Sequence, residues 1–213
     1  MTETRRPGHE LIAEPRASLT LWEYRREVAD LYASVRRLPP HPGWDHWIAG
    51  RRHLLRTHEQ SPVPADRRSV HEVLSYPYDP AARIVATVTA VPERRVTIAH
   101  GDAGSTAAHA FGRVAFTLDG VDCSLTLFWL DDYAGGVFAP FRDPTNGVTT
   151  YGGGRYLLDT AKGADLGGND GGVVLDFNFA YHPSCAFDQQ WSCPLAPPEN
   201  HLAVAVAAGE RLA

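Results

Sequence analysis

GRVAFTLDGVDCSLTLFWL, Gly112 to Leu130, decides how the rest of the chain is read. Gly112–Thr117 and Ser124–Leu130 are rich in β-branched and aromatic residues, and Leu118-Asp119-Gly120 lies between them. Asp-Gly between two such runs marks a turn joining two strands, because both residues tolerate the left-handed backbone that a tight hairpin needs. Upstream, Ile84 to Val91 is a β-branched run and Arg95 to Ala99 alternates. Downstream, Phe138–Arg142 and Val148–Tyr151 flank a second turn signal, Asp143-Pro144-Thr145-Asn146-Gly147. Arg155–Leu158 and Val173–Asn178 read as further strands joined by the Gly-rich loop Gly163–Gly172, and Leu202–Ala207 as a last one. Short strands broken by Gly, Pro and Asn turns predict a mainly β (α+β) fold, an antiparallel β-barrel or sandwich.

The N-terminal part has a different period. Residues 1–17, broken by Pro7 and Pro15, read as a flexible tail. Thr20 and Glu23 have capping-box spacing, and Leu21, Tyr24, Val28, Leu31, Val35 and Leu38 recur at helical spacing until Pro39 and Pro40. A second helix is expected from Gly43 to His58, with Trp44, Trp47, Ile48, Leu54 and Leu55 on its apolar face and Arg51, Arg52 and Arg56 largely off it. Residues 18–60 thus form a helical segment, and 61–213 a β domain. Helices this short gain their stability by packing on the β domain or on a partner.

Composition narrows the function classes. The net charge of −5 argues against a general nucleic-acid surface. The Arg residues of the first third (Arg25, Arg26, Arg36, Arg37, Arg51, Arg52, Arg56, Arg67 and Arg68) read as solvated helix faces with a few salt bridges, or as a site for an anionic ligand or partner. No apolar run is long enough for a membrane span or a leader peptide, so no membrane role and a cytoplasmic location are expected. An odd count of three cysteines, Cys123, Cys185 and Cys193, suits a reducing compartment.

Asp143 to Asn200 carries polar residues where core strands would carry aliphatics. Tyr151-Gly152-Gly153-Gly154-Arg155 sets three glycines before an arginine, which suits an anion held by backbone N–H groups and a guanidinium, or a tight turn with Arg155 in a structural ion pair. Alternation over Asp176–Tyr181 puts Asp176, Asn178 and Ala180 on one face, and Phe177, Phe179 and Tyr181 on the other. Arg155, Asp159 and Asp176 would then meet as a charged cluster in a barrel mouth. His182, Cys185 and Cys193, helped by Asp188, invite a metal reading, but the spacing matches no common zinc pattern. Two free thiols in a Pro-rich loop, a disulfide, or a thiol nucleophile with His182 and Asp176 are the other readings.

At this point the motifs resemble a known family. GGVFAPFRDPTNGVTTYGGGRYLLDTAKGADLG, VVLDFNFAYHPSCAF and CPLAPPENHLAVAVAAGE are similar to the bacterial family known as domain of unknown function 1684, and HEQSPVPADRR, LSYPYDPAAR and Trp47–Arg52 resemble it too. The resemblance runs from about Trp44 to Glu210 and is of the shorter, actinobacterial type. It implies no activity. Its matching positions include Asp143, Tyr151, Gly154, Arg155, Asp176, Asn178, Tyr181, Cys185, Cys193, Glu199 and Asn200, with His182 departing from the family's usual Asn.

These readings lead to a small-molecule binding protein, or an enzyme acting on a polar or anionic small molecule. Tyr151, Arg155, Asp176, Asn178, Tyr181 and Asn200 are the expected ligand-binding residues, and Asp176 or Glu199 the acid/base candidates. The cofactor is open. The alternatives are a non-catalytic interaction module working through the N-terminal helices or the Pro-rich loop, and a metal-dependent hydrolase through Cys185 and Cys193.

Overall fold

The Asp119-Gly120 turn forms as its dipeptide requires. Both residues have positive φ, 51° and 75°, and Leu118 pairs with Val121 across them. In this computed structural model, which describes residues 15–102, 104–131, 133, 135–169 and 171–213, that hairpin is the centre of a seven-stranded antiparallel sheet. The strands are β1 (Arg83–Ala99), β2 (Ser105–Leu118), β3 (Val121–Leu130), β4 (Val137–Phe141), β5 (Arg155–Asp159), β6 (Gly168–Asn169) and β7 (Gly172–Asp176), in the order β5-β4-β3-β2-β1-β7-β6. The two separate β runs expected upstream are one long strand, β1. It serves two neighbours in turn: Arg83–Thr87 pair with β7, and Val88–Ala99 pair with β2 across a bulge between Ala90 and Arg94.

The sheet curls into a half-barrel. Its far strand β5 comes back to the chain just beyond β7, where Tyr156 and Tyr181 exchange backbone hydrogen bonds of 2.9 and 3.1 Å. Val114, Phe116, Leu125, Leu127, Phe141, Leu158, Leu175 and Phe177 fill the curl. A second cluster joins the sheet to two N-terminal helices, α1 (Pro15–Val35) and α2 (Pro40–Thr57): Tyr32, Val35 and Trp47 pack on Ile98, Ala108, Phe128, Phe138 and Phe179. The helices therefore find their partner within the chain.

Three expectations are corrected. Helix α1 already includes Pro15, ahead of the expected start at Thr20, whose hydroxyl donates to Ala17 O inside the helix. Of the expected tail, residues 1–14 lie outside the described residues. Val148–Tyr151 is turn rather than strand, because Gly147 N and the Asn146 side chain take up Thr150 and Tyr151 instead of a neighbouring strand. Leu202–Ala207 joins no ladder; Leu202 N donates to Arg142 O, and beyond it side chains hold the segment, as described below.

Helix α1 can approach the sheet because of Gly163. That residue has φ of 72°, and a Cβ there would stand 2.6 Å from the Ala29 Cβ. Gly163→Ala is expected to lower stability by about 2 kcal/mol through left-handed strain and displacement of α1. Urea unfolding measures it, and an unchanged midpoint would show that α1 does not depend on this contact.

Candidate functional site

The residues nominated from sequence lie in several separate hydrogen-bonding networks. Arg155 has 0% exposure, and its guanidinium donates to Ala208 O, to Val206 O at 2.9 Å, to Glu210 O at 3.3 Å and to Asp143 Oδ1 at 3.2 Å. Asp143 in turn accepts from Val206 N at 2.8 Å and from both Thr145 donors. This pair replaces the strand ladder that the Leu202–Ala207 segment lacks. Gly154 belongs to the same fit: with φ of 96°, it lies where a Cβ would meet Phe141 O at 2.5 Å. Its glycine answers a close backbone approach.

Asn200 bridges β3 and β4, which pair directly only at Phe128 and Trp129. It accepts from Thr126 N and donates to Thr126 O and Pro140 O. Asp176 ends β7, and Phe177–Phe179 form a 3₁₀ turn, so the expected alternation stops there. Asn178 pins the loop at Asp79 through that residue's N–H and C=O, and its amide donates to Asp176 Oδ1. Burial raises the Asp176 carboxyl above its ordinary value, and Arg83 stands 3.9 Å away. Glu199 makes a surface pair with Arg94 at 2.7 Å. The expected Arg155, Asp159 and Asp176 cluster does not assemble: Arg155 goes to Asp143, Asp159 to Lys162 and Tyr181, and Asp176 to Asn178. The interior of the curl, where that cluster was expected, is apolar.

A buried charge network lies instead where α2 meets the C-terminal strap. Trp44, Trp47 and Arg51 share the inner face of α2. Trp44 donates to Asn178 O, Trp47 packs on Phe179 at 5.2 Å, and Arg51 stacks over Tyr181 at 4.7 Å. Arg51 was expected largely off this face, yet it follows Trp47 by one turn and forms a two-pronged pair with Glu210. Burial would lower the Arg51 guanidinium, but Glu210 outweighs it and the net shift is upward. Glu210 shifts down, because Arg51 overrides its own burial. Glu210 also accepts from His182 N at 2.7 Å, while His182 Nε2 accepts from Tyr151 N at 3.3 Å. Burial holds the imidazole down at about 4, so it is neutral near pH 7.

Beside this network is a cavity of about 270 Å³. Tyr24 and Tyr32 of α1, Arg51 of α2, Tyr156 of β5, Lys162, Tyr181, and the loop residues Phe187, Trp191 and Cys193 are in its wall. Its volume is just below the usual range for ligand sites, about 300–1,000 Å³, and it combines apolar surface with converging donors. Tyr156 O–H donates to Pro194 O, Tyr181 O–H to Asp159, and Lys162 to Asp159 at 2.6 Å. The Trp191 indole N–H is buried with no acceptor among the described residues. Of the site candidates drawn from the C-terminal motifs, Tyr181, His182 and Cys193 line this cavity. Tyr24, Lys162 and Trp191 were missed; Arg51 was among the arginines read as a possible anion site, and its placement one turn after Trp47 was the local signal for its position.

Cys185 and Cys193 meet. Cys185 N donates to Cys193 Sγ at 3.3 Å, and both thiols are free. Among the described residues no three His, Cys, Asp or Glu side chains come together as metal ligands, and His182 is turned to Glu210 and Tyr151. The grouping of Cys185, His182 and Asp176 falls apart because Asp176 is committed to Asn178.

Residues 68–211 match the family described as a protein of unknown function, DUF1684. The solution NMR structure of an uncharacterised protein of Haloarcula marismortui is similar, with 34% identity over 81% of this chain and 96% of that one and a TM-score of 0.59. Among curated proteins none matches.

The buried imidazole makes a pH prediction. His182 holds a proton more readily in the unfolded chain, where its pKa is near 6.5, than in the fold, where it is about 4. Stability is therefore fully present above about pH 6.5 and falls as pH drops towards 4, by up to the order of 3 kcal/mol. Glu210, with its lowered value, adds a loss only below its ordinary 4.5. Urea unfolding from pH 7 to 4 is expected to show this slope, and His182→Gln to flatten it between pH 6.5 and 5; an equally steep variant would assign the slope elsewhere.

Proposed function

Because the chain belongs to the DUF1684 family, whose description carries no activity, we propose its function from the site itself: it binds a small, acceptor-rich molecule, such as a carboxylate with an apolar body, in the cavity beneath α1 and α2. The observation that carries this reading is the indole N–H of Trp191, a residue of the cavity wall, buried without an acceptor among the described residues. A buried donor left unpaired costs about 1–3 kcal/mol, which a bound acceptor recovers. Arg51 and Lys162 bring positive charge to the same wall, and their carboxylate partners leave it close to balanced. Such a wall favours a weakly anionic or dipolar ligand over a highly charged one. The apolar surface of Val28, Phe187 and the tyrosine rings takes the ligand's body. The binder reading keeps the expected class of ligand and moves its site away from Arg155 and Asn178: the Asn178 amide and both terminal nitrogens of Arg155 are engaged within the fold, and of the Arg155 guanidinium only Nε has no partner among the described residues.

Thermal-shift screening against small carboxylates and other acceptor-rich metabolites tests this. A ligand that binds only the native state raises its melting temperature in proportion to occupancy. One chemical class is expected to stabilise the wild type, and Trp191→Phe to bind it about tenfold more weakly, the effect of one lost hydrogen bond. A ligand whose affinity is unchanged in Trp191→Phe, or a library with no stabilising member, would overturn the reading.

A further inference from the structure

Cys185 and Cys193 stand at the two ends of one loop and touch across its neck. Cys185 N donates to Cys193 Sγ at 3.3 Å, and Tyr151 lines the same cleft as Cys185. The pair also sits between two spaces. Cys185 lines an outer cleft with Arg67, Tyr151 and Asp188, and Cys193 lines the inner cavity with Trp191 and Tyr156. Both cysteines are half-buried, so a small reagent can reach Cys185 from the cleft while Cys193 waits behind it. Cys123, the third cysteine, lies on β3 far along the chain from either.

From this arrangement we propose that Cys185 and Cys193 are a redox-active dithiol, oxidised reversibly to a disulfide by a hydroperoxide entering the outer cleft. Cys185, as thiolate, attacks one peroxide oxygen. An S–O bond forms, the O–O bond breaks, and the other oxygen leaves as an alcohol or water after taking a proton. Cys193 then loses its proton and attacks the Cys185 sulfur. The S–S bond forms, the S–O bond breaks, and hydroxide leaves as water. Two thiols give up two electrons in total, and one hydroperoxide becomes one alcohol and one water. This is the order seen in redox-sensing thiols, where an accessible low-pKa cysteine has a resolving cysteine beside it.

The local surroundings suit those roles. The neighbouring Cys193 and Tyr151 outweigh burial and hold the Cys185 thiol down at about 6, against an ordinary 9.0. Cys193 is pushed up by the same partnership and by burial. The attacking sulfur is thus ionised near neutral pH, and the resolving one keeps its proton until it is needed. The loop between them carries Phe187 and Trp191, which wall the inner cavity, so the bond would tie that wall in place. The chemistry of the pair does not depend on what the cavity binds.

The test uses the full chain, reduced and then treated with hydrogen peroxide. Peptide mass mapping is expected to show a Cys185–Cys193 linked peptide that a dithiol reductant reverses. In brief alkylation of the untreated protein, Cys185 is expected to react about tenfold faster than Cys123. Cys193→Ser is expected to accumulate a sulfenic acid at Cys185 that dimedone traps. Preferential oxidation of Cys123, an intermolecular disulfide, or Cys185 alkylating no faster than Cys123 would overturn the proposal. The alkylation comparison needs no variant, so it decides even if a substitution unfolds the loop.

Discussion

The pairing of Arg155 with Asp143, with both side chains fully buried, holds the fold's last segment where a strand would otherwise sit. Extended chain needs partners for its N–H and C=O groups. In residues 202–210 those partners are not another strand: Arg155 takes the carbonyls of Val206, Ala208 and Glu210, and Asp143 takes the N–H of Val206. Each charge is buried against the other, and removing either would leave its partner buried without a counter-charge. The strap so held brings Glu210 against Arg51, which docks α2. It also lies against the core of the curl through Leu202, Val206 and Ala208. The cavity depends on this chain of contacts, since its wall is shared by α1, α2, β5 and the loop after Tyr181.

Other polar side chains do comparable work. Asn200 joins β3 to β4 where their ladder stops, and Asn178 joins the loop at Asp79 to the turn after β7. An asparagine can serve there because one amide both donates and accepts, as a backbone unit does. The concentration of Asp, Asn, Arg and Gly between Asp143 and Asn200 follows from a sheet that closes by side-chain bridges rather than by long ladders.

Much of the fold was legible in the sequence. The period of α1 and α2, the Asp119-Gly120 hairpin and the strands around it follow from local pattern, because those elements bury one face against a common core. Leu202–Ala207 was misread for a physical reason: its alternation is that of a strand, but beyond Leu202 its partners are side chains, which a local pattern does not reveal. The candidate site was less legible. Polarity at Arg155, Asp176 and Asn178 marked them as needing partners without saying whether those partners lay within the chain. The cavity draws on segments spread from Tyr24 to Cys193, so no single motif announces it. Only the pair Cys185 and Cys193 could be singled out by spacing, and its contact needed the folded loop.

The central claim is that the densest polar motif of the chain holds the fold together, with ligand chemistry assigned elsewhere. Chemical denaturation of Arg155→Lys beside the wild type tests it most directly. Lysine keeps the charge opposite Asp143 but loses the fork that reaches the strap carbonyls. The account predicts a loss of about 3 kcal/mol, the cost of two or three buried charge-assisted hydrogen bonds. An unchanged midpoint would contradict it and return Arg155 to the residues free to hold a ligand.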